Sequence, residues 1–404
     1  MIRYAEFIRR LQKEVFMIGL LSRIFIKNRT SYDNPAVRTA YGMLCSIVGI
    51  MLNIVLFVFK LLAGIISKSL AVTADAYNNL SDAASSLISL LGFKLSSKKP
   101  DSEHPFGHGR IEYVTGLIVS FLIILMGFEL LSSSIESIKN PSDILHSKVA
   151  LIIMAGAICV KLYMYIYNHA VAKKISSAAM EATAKDSLCD MISTSVALVS
   201  VIVAPFVNFP LDAVTGMLVA LFILYTGLDS AKETIDPLLG LPPSKELVQG
   251  IEEEVLKHKY IVAIHDLLVH DYGPGRLMIS LHAEVPGNLD IFMLHESIDD
   301  AEVALAKKFN CEAIIHLDPI DTENERLALL KNEAKNAAAG IDPEISIHDV
   351  RMVPGVSHTN LIFDAVRPHS CKFSPEQIKK MLHESIHSKY PDVYCVVTVD
   401  NPYV

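Results

Sequence analysis

The chain has 404 residues, 51% of them hydrophobic, with a mean hydropathy of +0.38. Soluble globular proteins are rarely that apolar, so composition points to a membrane class. The net charge of −8 argues against nucleic acid as a partner, and six cysteines without a CxxC pair argue for reduced, structural thiols.

In chain order, residues 1–40 form a basic arm (Arg9, Arg10, Lys13, Arg23, Lys27, Arg29, Arg38) expected on the inner membrane face, with no small-residue cleavage site after an apolar core. Six apolar stretches follow, at 41–66, 70–96, 112–136, 148–172, 180–206 and 210–231, each long enough to cross a hydrocarbon core as a helix. Lys94, Lys98, Lys99 and Arg110 follow the second stretch and Lys173 and Lys174 the fourth, whereas the loop 207–210 has no basic residue. The positive-inside rule then puts both termini in the cytoplasm. The expected domains are the arm, 1–40; a six-helix transmembrane cation transport domain, 41–236; and two soluble domains, 237–320 and 321–404.

Beyond Pro242 the pattern becomes helix, strand, strand, helix, strand. A helix with Ser244 at its N-cap precedes strands at 261–270 and 276–285, a helix near 291–309 and a strand at 311–317. The unit occurs twice: Ile264-His-Asp266 returns as Ile347-His-Asp349, and Met293-Leu-His-Glu-Ser297 returns as Met381-Leu-His-Glu-Ser385.

Three groups of polar residues stand out. Asn78-x-x-x-Asp82 and Asp186-x-x-x-Asp190 lie in the second and fifth stretches, each pair on one helix face, a turn apart. A central Asp costs about 2.5–3.5 kcal/mol on membrane-insertion scales, so such residues mark function by default. Asp75 falls on the stripe of Asn78 and Asp82 as an accessory candidate. A buried lysine partner, Lys60 or Lys161, is the structural alternative, but two carboxylates on one span exceed what a lone lysine needs. The set offers oxygen ligands only, which suits Mn, Mg or Ca, whereas imidazole and thiolate suit Zn or Cu. Carboxylates crowded at low dielectric cannot all stay ionised without a cation, and metal entry releases protons, so the pattern fits a metal/proton antiporter.

The second group is the loop set Asp101, His104 and His108, spaced as a workable ligand cluster among turn-forming Pro and Gly. The third lies in the first soluble unit: His265, His270, His282, His295, His316 and Asp318. His316 and Asp318 share one face of a strand.

Together these motifs resemble the cation diffusion facilitator (cation efflux) family over about residues 41–319. The resemblance rests on the six spans, the twin four-residue motifs, the loop His104-Pro-Phe-Gly-His108-Gly-Arg110 and the αββαβ unit. It implies a transport site at Asn78, Asp82, Asp186 and Asp190, a loop site at Asp101, His104 and His108, and a cytoplasmic site at His265, His282, His295, His316 and Asp318. It also implies a ferredoxin-like cytoplasmic domain that dimerises. Zinc-type members carry His in the transport motif; its absence here resembles the manganese-exporting branch. The second αββαβ unit departs from the pattern. It keeps His348 and His383, but Asp364 and Thr398 stand in the slots of His282 and His316, with Asp400 matching Asp318. That unit is expected to be a dimerisation or regulatory addition.

The expected protein is a multi-pass α-helical membrane protein with two α+β ferredoxin-like cytoplasmic domains. It is a homodimer in membrane lipid, in a bacterial plasma membrane, exporting Mn2+ in exchange for protons. It is not an enzyme and needs no catalytic cofactor; divalent metal ions are its substrate and its regulators. Export of Zn2+, Fe2+ or Co2+ by the same route is one alternative, and a membrane-bound metal sensor without transport is another. An intramembrane metallohydrolase lacks support, because no span carries an HExxH-like set.

Overall fold

The computed structural model describes residues 16–32, 34–67, 70–139, 148–203, 211–355 and 358–401. The first 15 residues of the basic arm and the loop 207–210 lie outside the described residues. The chain divides into two compact units: one runs up to Leu241 and includes the Asp271–Arg276 turn, and the other holds Pro242–His270 and Leu277–Val404.

The first unit is helical, with α1 (Phe16–Phe25), α2 (Pro35–Ser67), α3 (Leu70–Ser96), α4 (Ile111–Lys139), α5 (Lys148–Ile175), α6 (Ala178–Val203) and α7 (Leu211–Leu239). Among the described residues, four stretches, Pro35–Leu62, Ile111–Lys139, Leu151–Ile175 and Val214–Leu239, are long and apolar enough to cross a membrane. At 27 and 26 residues α3 and α6 also have the length, but Asp, Asn, Ser and Thr dilute their apolar character. These two helices carry the twin motifs. Within the basic arm, Ile18 on α1 is buried in a core with Tyr41, Cys45, Val48 and Tyr167.

Serines on α3 are buried without cost because they bond back to the helix, as Ser89 Oγ does to Ser85 O at 3.2 Å. A buried Arg38–Glu112 ion pair ties α2 to α4, and Arg38 Nη2 also donates to Ser176 O at 3.0 Å.

The second unit repeats one element order: α8 (Lys245–Val255), β1 (Ala263–Asp271), β2 (Leu277–Pro286), α9 (Ile291–Phe309) and β3 (Cys311–Ile320), then α10 (Glu325–Ile341), β4 (Ser346–Pro354), β5 (Thr359–Val366), α11 (Pro375–Lys389) and β6 (Val393–Asp400). The strand orders β1-β2-β3 and β4-β5-β6 correspond, and β2–β3 and β5–β6 are both parallel. Alternating Ile279, Leu281, Ala283 and Val285 of β2 pack on Leu294, Ile298, Ala301 and Leu305 of α9. Leu361, Phe363 and Ala365 of β5 do the same against Leu330, Ala334, Ile378 and Leu382. Period-2 strands against period-3.6 helices leave the other sheet face open, where His282, His316 and Asp318 sit alongside the exposed Ile314.

Both sheets share a local defect. Asp266 (φ 51°) and Asp349 (φ 49°) adopt the left-handed conformation, and the β4–β5 register shifts between His348 and Arg351. Asp is among the few side chains that tolerate this region. The consequence is a break in alternation. Ile264 and Leu267 both reach the first core, and Ile347 and Val350 both reach the second. The intervening His and Asp are thrown to the opposite face.

Candidate metal sites

Asp82 on α3 and Asp186 and Asp190 on α6 are buried, and one oxygen from each lies within 4.8 Å of the others. Small neighbours, Ala83 and Ser86 on α3 and Ala182 and Ser187 on α6, are buried as well, which lets helix backbones approach closely. The hydroxyls of Ser89 and Thr183 meet at 3.1 Å between the same two helices.

Lys161 on α5 completes the cluster. Its Nζ donates to Asp82 Oδ2 at 2.7 Å and to Asp190 Oδ2 at 2.6 Å. The lysine partner named as the structural alternative therefore exists, but one ammonium bridges two of three carboxylates. Lys60 on α2 is buried too and acts electrostatically on Asp82. The result is an anionic pocket of oxygen ligands that already holds a cationic side chain.

The structure does not gather the whole predicted set. Asn78 is exposed, whereas its neighbour Asn79 is buried at 1% exposure. Both spacings to Asp82, four and three residues, put an amide on the same side of a helix, so sequence periodicity could not separate them. Asp75 lies in α3, and its side chain is outside the described residues.

The loop set does come together. Asp101 lies 3.5 Å from both His104 Nδ1 and His108 Nε2, and the two imidazoles are 4.6 Å apart. The His104 backbone N–H donates to Asp101 Oδ1 at 2.8 Å and, with the nearby histidines, holds the Asp101 carboxyl below its usual range.

In the second unit His265, His282 and Asp318 offer ligand atoms within 4.8 Å of one another. His282 Nδ1 is 2.8 Å from Asp318 Oδ2, His265 Nε2 is 3.2 Å from the same oxygen, and His316 Nε2 is 3.2 Å from Asp318 Oδ1. The parallel register places His282 opposite His316 and Glu284 opposite Asp318, on the sheet face away from the helices. His295 departs from expectation: it is 69% exposed on α9 and faces Asp299 one turn on at 3.2 Å. The core stripe of α9 runs through Leu294 and Ile298, which turns His295 outward. His270 is likewise exposed. Two residues that sequence reasoning did not select join the cluster, Asp266 and His348, which with His265 form a second set of ligand atoms within 4.8 Å. Strand alternation would have put Asp266 on the opposite face from His265.

A helical membrane unit with a buried acidic cluster, followed by a unit bearing clustered His and Asp, defines a membrane protein that handles metal cations. Residues 46–239 match the cation efflux transmembrane domain, and residues 243–320 match the cytoplasmic domain of cation efflux proteins. An uncharacterized transporter of Methanocaldococcus jannaschii is 32% identical over 69% of this chain and 98% of its own length. The manganese efflux system protein MneS of Bacillus subtilis is 28% identical over 68% of this chain and 95% of its own. The cation-efflux pump FieF of Cronobacter sakazakii is 27% identical over 69% and 94%. The chain belongs to the cation efflux family and is a membrane transporter of divalent metal cations.

Proposed function

We propose that this transporter exports Mn2+ from the cytoplasm in exchange for protons, with Asp82, Asp186 and Asp190 as the transport ligands and Asn78 lining the approach. The reading rests above all on the all-oxygen cluster, since hard oxygen sets suit Mn2+ and lack the imidazole that favours Zn2+. The manganese efflux function named for the B. subtilis relative supports it. Lys161 gives the exchange a physical basis. Three carboxylates facing the ammoniums of Lys161 and Lys60 are partly neutralised without metal. A divalent ion arriving while both lysines keep their charge would leave the pocket positive. Metal entry is therefore favoured by withdrawal of Lys161 or loss of a proton, and metal exit by the reverse.

We further read α3 and α6 as membrane spans alongside the four apolar ones, giving six, with both termini cytoplasmic in a bacterial plasma membrane. Residues 41–236 then form the transport domain, and 237–320 and 321–404 are two ferredoxin-like domains, the second a duplicate of the first. The first holds a homodimer and senses metal through His265, His282, His316 and Asp318. Asp101, His104 and His108 form a loop site on the cytoplasmic side.

Uptake into sealed proteoliposomes of Mn2+, Zn2+, Fe2+ and Co2+, with and without an imposed proton gradient, tests this reading. Mn2+ is expected to be preferred and its flux to follow the gradient. Preferred Zn2+ flux would keep the transporter and overturn the argument from ligand hardness. Mn2+ flux indifferent to the gradient would refute antiport.

A further inference from the structure

His265 and His348 occupy equivalent places in the two αββαβ repeats, and they face each other. Their rings stack at 4.6 Å, nearly parallel at 21°. His348 Nε2 lies 3.5 Å from Asp266 Oδ1, and Asp266 Oδ2 lies 3.3 Å from His265 Nδ1. Tetrahedral ligands at about 2.0–2.1 Å from a zinc ion stand roughly 3.3–3.5 Å apart, so the three donors already have the spacing of a coordination sphere.

Burial makes the arrangement more telling. The His265 and His348 side chains are 7% and 11% exposed. His348 Nδ1 is buried with no hydrogen-bond partner among the described residues, and His348 Nε2 and His265 Nε2 face carboxylates at 3.5 and 3.2 Å without hydrogen-bond geometry. Buried imidazole nitrogens are normally bonded, and leaving them bare is unfavourable unless something else binds them. Left-handed Asp266 (φ 51°) lies within this set, with its Oδ1 facing His348. The repeats keep this strained residue at both equivalent positions. Asp349, the counterpart of Asp266, is within electrostatic reach of His265 and Asp318. A cavity of about 380 Å³ opens between β1 and β4, lined by His265, Asp266, Ser346, His348 and Asp400. The Lys331–Glu284 ion pair at 3.3 Å also crosses between the repeats.

We propose that the second repeat completes a new metal site with the first: His265, Asp266 and His348 bind one divalent transition-metal ion of the zinc class between the two domains and lock them together. Two imidazoles and one carboxylate, with room for a water, suit Zn2+ over Mn2+. A neutral imidazole ligates through one nitrogen, and His265 presents Nδ1 to Asp266 and Nε2 to Asp318. His265 therefore serves one ion at a time. It belongs to the first-repeat set with His282 and Asp318, or to the interdomain set with Asp266 and His348. The inference rests on reading 321–404 as a second copy of the fold, and not on which ion crosses the membrane.

Hydrogen exchange of the full-length protein in detergent, followed in peptides covering 343–354 with rising Zn2+, tests the site. In the wild type, Zn2+ should slow exchange in β4. Loss of outer-shell partners alone weakens metal sites about 10–100-fold, so His348→Asn and Asp266→Asn should each raise the Zn2+ needed at least tenfold. His282→Asn should leave the protection of β4 in place. Protection that survives unchanged in both His348→Asn and Asp266→Asn would overturn the proposal. So would protection lost in His282→Asn alone, which would assign the effect to the first-repeat cluster. Exchange is read without flux, so failure of the antiport reading and failure of this site remain distinguishable.

Discussion

The two units gather charged ligands in opposite ways. In the helical unit, three carboxylates from α3 and α6 meet with no imidazole, and a tethered ammonium bridges two of them. In the second unit, strands and a repeated bulge gather His265, His282 and His348 around Asp266 and Asp318, and no lysine bridges them among the described contacts. An oxygen pocket that carries its own cation is suited to exchange, because releasing the ion does not strand bare charge. A nitrogen-rich pocket of half-buried and buried imidazoles beside carboxylates is suited to retention. Donor chemistry and counter-charge separate the two clusters of this chain: oxygen ligands with a tethered ammonium in one unit, imidazole-rich ligands in the other.

The sharpest way to break that contrast is to remove a carboxylate. Asp82→Ala or Asp190→Ala should reduce Mn2+ flux to background while the dimer, judged by light scattering, persists; retained flux would remove the cluster from the transport path. Next comes donor type. Asn78→His would place an imidazole on the proposed approach to the oxygen set, and the Zn2+/Mn2+ flux ratio should rise about tenfold, following ligand softness. An unchanged ratio would fit the exposure of Asn78 and place selectivity elsewhere. The tethered cation is the third lever. Removing one member of a buried pair costs about 3–5 kcal/mol, so Lys161→Gln should lower metal-free stability on that scale. Added Mn2+ should restore part of it by mass action; equal destabilisation with and without Mn2+ would deny that metal and ammonium compete. The smallest effect is expected from deleting 321–404. A folded, dimeric truncation should keep transport within a fewfold of the full chain, and complete loss would make the second repeat part of the transport machinery.

Much of this was legible in the chain. Helical spacing located Asp82, Asp186 and Asp190, and the recurrence of Ile264-His-Asp266 gave the repeated αββαβ order. The loop cluster at Asp101, His104 and His108 follows from turn chemistry close in sequence, and the structure assembles it. What escaped has identifiable causes. A single-residue ambiguity on α3 hid the burial of Asn79 rather than Asn78. The exposed i, i+4 partnership with Asp299 removed His295 from the cluster. Asp266 needs a left-handed residue inside a strand, which no periodicity announces. His348 contributes only after two domains 83 residues apart at that motif dock face to face, a distance that local pattern does not span.

The most direct test of the central claim is simultaneous measurement of Mn2+ uptake and internal pH in proteoliposomes holding the wild type or Asp190→Ala. The account predicts Mn2+ flux with matching proton movement in the wild type, and loss of both in the variant. Mn2+ flux without proton movement, or flux that survives in Asp190→Ala, would contradict it.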